Sequence, residues 1–256
     1  MKMKSINVVL LVLFTAAASF FLSSCATNDA NGYAEFKGKS AKEILADGEK
    51  ELGKRNYITA AKRFEAIDAL YPFADEAKQA DLDVIFAYYK SDNIDEALAA
   101  ADRFIHLYPE DKHTDYAYYM KGLINFDRGK SWSQKLHRSD EDQRNLQYLQ
   151  EAFSDFDNVV QGFHNSVYAK DAYARMVYIR TLLAKHELSI ADFYFKHKAY
   201  VAAANRASFV VKHYNGTEEA VAALKIMIKS YDILGAKQQK QDALGVLKHN
   251  YPNEKV

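Results

Sequence analysis

All three prolines of this 256-residue chain follow a tyrosine, and their spacing constrains the fold more than any other feature. Tyr71-Pro72 and Tyr108-Pro109 lie 37 residues apart, and the pattern recurs at Tyr251-Pro252. Two further sites keep the same grammar with proline replaced, Phe163-His164 and Tyr214-Asn215, and Asn215 to Pro252 is again 37 residues. The remaining gaps of 55 and 51 residues are the same period lengthened by 18 and 14. A fixed period of this size means stacked supersecondary units, each unable to bury its apolar face alone. With 10 glycines and 3 prolines the chain has too few turn formers for a β-sandwich or barrel. Helical units are expected, and Leu82, Ile85, Phe86 and Tyr89 follow helical spacing.

The unit resembles the tetratricopeptide repeat. Setting Pro72 at motif position 32 puts Gly48 at 8, Ala60 at 20 and Phe64 at 24. Setting Pro109 there puts Ala97 at 20 and Ala101 at 24, with Phe104 three residues on. Gly122, Ala152 and Phe156 fit the third unit after an insertion, and Ala191, Tyr194, Tyr200 and Ala203 fit the fourth. The fifth is the poorest, with Lys240 at a small-residue position, as suits a cap with no neighbour beyond it. Two antiparallel helices approach closely only where small residues face each other. Proline ends the second helix because it lacks an N–H and disfavours helix in the residue before it. Arg55-Asn56 and Asp92-Asn93 are then the short turns within repeats. The fold class is all-α, an α-solenoid of about five tetratricopeptide-like helix pairs. Repeats 1–3 occupy 41–165 and repeats 4–5 occupy 166–256. Polar residues 128–148, which carry the only Trp, read as a loop inserted in the third repeat. Residues 166–185 read as a helical addition, with Tyr168, Ala172, Arg175, Met176, Ile179 and Leu183 on one face, running on into the fourth repeat.

The amino terminus reads as an address. Lys2 and Lys4 precede an uncharged apolar run from 6 to 22, the pattern of a secretory signal. Leu22-Ser23-Ser24-Cys25 then resembles the bacterial lipobox. That resemblance implies cleavage before Cys25, S-diacylglycerol on its thiol and an N-acyl chain on the new amine. More than one chain on one residue anchors a protein stably without a transmembrane helix. Ala26 in place of aspartate implies export to the outer membrane. Residues 1–24 are the expected signal peptide and 25–40 the acylated cysteine and a flexible tether. The only cysteine is Cys25, so no intramolecular disulfide is possible.

Residues 41 to 252 also carry an ordered set of strings that resembles the BamD family, repeat lipoproteins of the outer-membrane β-barrel assembly machine. Tyr71-Pro72-Phe73 and Leu82 through Lys90 look like its first-to-second-repeat segment. Asp102-Arg103-Phe104-Ile105, Met120-Lys121-Gly122-Leu123, Arg138-Ser139-Asp140-Glu141-Asp142 and Asn205-Arg206 follow in register. The resemblance implies a lipid-anchored outer-membrane protein facing the periplasm. It would dock on a POTRA domain of BamA through Asn205 and Arg206, join other Bam lipoproteins, and receive the C-terminal β-signals of unfolded outer-membrane barrel proteins. The rival reading is another tetratricopeptide lipoprotein that scaffolds periplasmic cell-wall or secretion machinery.

Catalysis is not expected. The chain holds no G-x-x-x-x-G-K-[ST], H-E-x-x-H or G-x-S-x-G string, and its 8 histidines are scattered, so neither a metal site nor a cofactor beyond the lipid is predicted. Lys and Arg number 34 against 34 Asp and Glu, a balance unlike that of a nucleic-acid binder. In tetratricopeptide arrays the first helix of each repeat lines the concave face. That puts Phe86, Tyr89, Tyr116, Tyr119 and Phe126 in an aromatic groove suited to an extended peptide with aromatic side chains.

Overall fold

The computed structural model describes residues 32–130 and 139–254; Cys25, the signal segment and residues 131–138 of the insertion lie outside the described residues. Among the described residues ten α-helices follow one another and no strand occurs. They are α1 Ala41–Gly53, α2 Tyr57–Leu70, α3 Asp75–Lys90, α4 Ile94–Leu107, α5 Thr114–Lys130, α6 Ser139–Gly162, α7 Ala169–Lys196, α8 Tyr200–His213, α9 Glu218–Ile233 and α10 Lys237–Asn250. No described helix is long and apolar enough to cross a membrane.

The proline grammar marks helix ends at all five sites. Tyr71, Tyr108, Phe163, Tyr214 and Tyr251 each donate their backbone N–H to the carbonyl four residues back, at 2.7 to 3.2 Å. Each then accepts a bond at its own carbonyl from the N–H three residues on, closing the same turn with or without proline. The turns inside repeats share one geometry too. Arg55, Asp92, Lys198 and Gly235 have φ between 62 and 69°, in the left-handed region. One residue later, Asn56, Asn93, Ala199 and Ala236 bond back to the carbonyls of Glu51, Tyr88, Tyr194 and Tyr231 at 2.9 to 3.0 Å. This six-to-one bond satisfies a carbonyl the helix end would otherwise leave without a partner.

The chain divides into two compact units at Ala87–Tyr88, within α3. In the first unit, Ser40 caps α1 through a reciprocal pair of bonds with Glu43. α1 packs on α2, and the fit is set by Gly48. A Cβ there would lie 2.4 Å from the Phe64 ring, so only glycine admits this approach. Residues 34–36 form a 3-10 turn that buries Phe36, and Lys62 pairs with Glu35 at 2.6 Å. The Tyr71 hydroxyl donates to the Lys39 carbonyl at 2.6 Å. The segment read from composition as tether is therefore docked at its carboxyl end, where its lone phenylalanine is buried.

In the second unit the helices pack in sequence order: α4 on α5, α5 on α6, and so on to α9 on α10. The long α7 packs on α9 as well as α8. This neighbour-on-neighbour order is that of a helical solenoid. Gly122 repeats the role of Gly48: a Cβ there would meet the Phe156 ring at 2.6 Å. The added stretch at 166–185 does run into the fourth repeat as one helix, the 28 residues of α7.

The insertion differs from the loop expected at 128–148. Arg128–Lys130 finish α5, and Ser139–Tyr148 form the first turns of α6. The reason is visible further along that helix. Leu149, Ala152, Phe156 and Val159 are fully buried at helical spacing, and Leu146 packs against the same core, so the apolar stripe reaches back into the polar segment. Arg128 and Tyr148 close the base of the insertion. The guanidinium donates to the phenol at 3.0 Å and lies 4.0 Å from the ring centroid.

Candidate peptide-binding face and docking surface

In the first unit, Phe86 on α3 is half-buried and meets Tyr57 on α2 edge to face, with centroids 6.3 Å apart and planes at 83°. One turn earlier, burial pushes the Asp83 carboxyl up to about 6, and a hydrogen bond from Gln79 at 3.0 Å opposes that rise only in part.

The second unit gathers Tyr89, Tyr116, Tyr119 and Phe126 from α3 and α5 around Asp171 and Arg175 of α7. Tyr89 donates its hydroxyl to Asp127. Tyr119 donates to Asp171 at 2.7 Å and stacks on Tyr168, 4.7 Å between centroids with planes 20° apart. Tyr116 lies 5.7 Å from the same Tyr168 ring. Arg175 also bonds Asp171, and its guanidinium lies 5.2 Å from the centroid of Phe126. Burial, then the bond to a carboxylate, pushes both Tyr89 and Tyr119 up to about 12. Burial raises Asp171, but bonds from Arg175 and Tyr119 hold it below the usual carboxylate range. The phenols are thus fixed as donors, and their rings are held rigid while remaining half-buried.

Phe126 does not share that exposure. It is 3% exposed, wedged edge to face between Phe156 and Tyr178. It supports the aromatic surface from beneath rather than lining it, since its neighbours on α6 and α7 cover both sides. Sequence reading placed Arg175 on a helix face but missed it, Asp127 and Asp171 as partners of the tyrosines. Tyr89 and Asp127 are 38 residues apart and Tyr119 and Asp171 are 52 apart, about one period and one lengthened period. The repeat spacing was the available signal.

On α8, Asn205 is exposed and Arg206 is half-buried. Arg206 donates to Glu187 of α7 at 2.7 Å, with 39% of its own side chain exposed and 17% of the glutamate's. The family-implied docking residue is therefore also half of an intramolecular ion pair. Ala203, Ala204 and Ala207 around it are buried, so the small residues pack inward while the guanidinium stays at the rim. No cluster of three or more potential metal ligands occurs among the described residues.

The family described as "YfiO: Outer membrane lipoprotein" matches residues 37–246. Among curated proteins, the outer membrane protein assembly factor BamD of Neisseria meningitidis serogroup A is 37% identical over 246 residues, covering 94% of this chain and 91% of the relative. The proteins of the same name from Pasteurella multocida and Vibrio cholerae are each 35% identical, covering 86% and 75% of this chain and 82% and 80% of the relatives. A repeat array of ten described helices, the left-handed turns at matching points and this identity across most of the chain converge on one assignment: the chain belongs to the BamD family of outer membrane lipoproteins.

Proposed function

We propose that this protein docks on the periplasmic POTRA region of BamA and receives the C-terminal β-signals of unfolded outer-membrane barrel proteins. The family is one of assembly factors, not enzymes, and its named members act in outer membrane protein assembly. The observation that carries the peptide-binding half is the rigid aromatic surface of the second unit. Tyr89 and Tyr119 are locked to carboxylates by their hydroxyls and both rings stay half-buried, with Tyr119 backed by Tyr168, so the surface they keep is preset for a partner's aromatic side chains. Tyr89→Ala combined with Tyr119→Ala should weaken binding of a barrel protein's C-terminal segment by ~1–3 kcal/mol. It should leave BamA co-purification intact; equal loss of both would refute a separate peptide site.

Docking is assigned to Asn205 and Arg206. The Glu187 bond presets the guanidinium at the rim of α8, where its uncommitted N–H groups can meet a carboxylate on BamA. Arg206→Glu should reduce BamA co-purification. The swap of Glu187→Arg with Arg206→Glu rebuilds the internal pair with reversed sign and should remain defective. Full recovery by the swap would make Arg206 a structural residue. Cys25 is proposed as the acylated anchor that holds the protein on the periplasmic side of the outer membrane beside other Bam lipoproteins. Cys25→Ser should release it from membranes, and mass spectrometry should find the lipid on the unaltered chain.

A further inference from the structure

The outward face of α8 carries more than the two residues assigned to docking. Ala203, Ala204, Ala207 and Val210 turn one side of the helix into the core. The other side presents Val201, Asn205, Phe209 and Lys212, all exposed, as one row about 16 Å long at helical spacing. Its two apolar members are open to solvent, Val201 at 59% and Phe209 at 39%. Arg206 borders the row, one residue past Asn205 and three before Phe209.

Phe209 is braced in place. Its ring centroid lies 4.2 Å from that of His213, and it meets Tyr214 edge to face at 6.1 Å. A ring already held by two neighbours gives up little rotamer freedom when a partner covers it. The flanking positions on α8 are small, Ala202 and Ser208, and screen neither apolar side chain. Charge on this face has one sign. α8 contains no aspartate or glutamate. Glu187 of α7 answers Arg206, while Lys212 has no ion-pair partner among the described residues. A single exposed apolar residue is ordinary. Two of them, aligned with a guanidinium and an unanswered ammonium, have the make-up of an interface centre and its rim.

We infer that Phe209 is the apolar anchor of the surface that docks on BamA, with Val201 as a second contact at the far end of the same row. The matching surface on BamA is an apolar patch bordered by carboxylates that meet Arg206 and Lys212. This rests on the docking reading of Asn205 and Arg206, and it adds the part of the contact that charge does not supply. Exposed ion pairs contribute little and are screened by salt. A ring desolvated against an apolar patch holds in salt as well as out of it. Arg206 then sets orientation, and Phe209 with Val201 sets how long the complex lasts.

The test is a titration of full-length BamA in detergent with the full chain, at low and at high salt. Phe209→Ser should lower affinity about tenfold and Val201→Ser about threefold, at both salt concentrations. Phe209→Leu, which stays apolar, should keep most of the affinity. Lys212→Gln should matter only at low salt. Val201 is open enough that its replacement leaves the fold intact, so it carries the test if Phe209→Ser loses helicity. Val167→Ser, at an apolar residue 84% exposed outside this face, should bind as the unaltered chain does. Unchanged binding by both Phe209→Ser and Val201→Ser, with Arg206→Glu defective, would overturn this inference and leave the docking reading standing. Failure of the unaltered chain to bind BamA would overturn both. Losses that vanish at high salt, an equal loss from Val167→Ser, or a self-association of the chain that Phe209→Ser abolishes would each overturn the apolar anchor.

Discussion

Asp83 shows how a single residue's surroundings turn into a measurable pH dependence. Burial raises its carboxyl to about 6, above the ordinary aspartate value, so the folded state holds the proton more tightly than the unfolded chain does. Stability from this group is therefore full below about pH 4, falls as pH climbs towards 6, and is lowest above it. Asp83→Asn keeps an acceptor for Gln79 and removes the charge. It should stabilise the first unit by about 1 kcal/mol at pH 7, after allowance for partial solvent screening, and have no effect at pH 4. Urea unfolding at the two pH values checks this, and an equal effect at both would contradict it. The aspartate's place on a helix face was legible in the sequence. Its burial was not, because that depends on which neighbours α1 and α2 bring. The Arg206–Glu187 bond was hidden for a related reason: its partners are 19 residues apart on two helices, and only their packing sets the distance.

At the scale of elements, the sequence was most informative where backbone chemistry is local. Tyrosine before proline marked helix ends, and the two sites without proline ended in the same way because the closing bonds belong to the backbone. Polar composition misled where it competed with period: Ser139–Tyr148 looked like loop, yet it extends a helix anchored by the buried stripe from Leu149 to Val159. The turns within repeats carry a sharper consequence. Arg55, Asp92 and Lys198 occupy a left-handed conformation that a Cβ makes unfavourable, while Gly235 meets the same demand without strain. Lys198→Gly should therefore stabilise the protein by about 0.5 kcal/mol, the relief of strain exceeding the added chain entropy. Asp92→Gly should gain less, because aspartate tolerates this region better. Gly235→Ala should lose about 1 kcal/mol. Thermal unfolding of the three variants should return this order with opposite sign for the last.

At the scale of the molecule, the packing of helices on their sequence neighbours within each unit implies that damage stays local. In such an array, stability is close to a sum of repeat and nearest-neighbour terms, not a property of one shared core. Gly122 and Gly48 are matched probes of this, because each sits against one fully packed phenylalanine. A Cβ would lie 2.6 Å from the Phe156 ring in one case and 2.4 Å from Phe64 in the other. Neither ring can retreat easily, since both are about fully buried, so each alanine should cost ~1–3 kcal/mol through overpacking. What distinguishes an array from a single core is where that cost appears. Native-state hydrogen exchange should show Gly48→Ala raising exchange in α1 and α2, with α8 to α10 unchanged. Gly122→Ala should raise it in α5 and α6 and their packing partner α7, with α1 and α2 unchanged. A uniform rise across all ten helices for either variant would show one cooperative core. The repeat spacing would then describe the sequence without describing how the protein holds together.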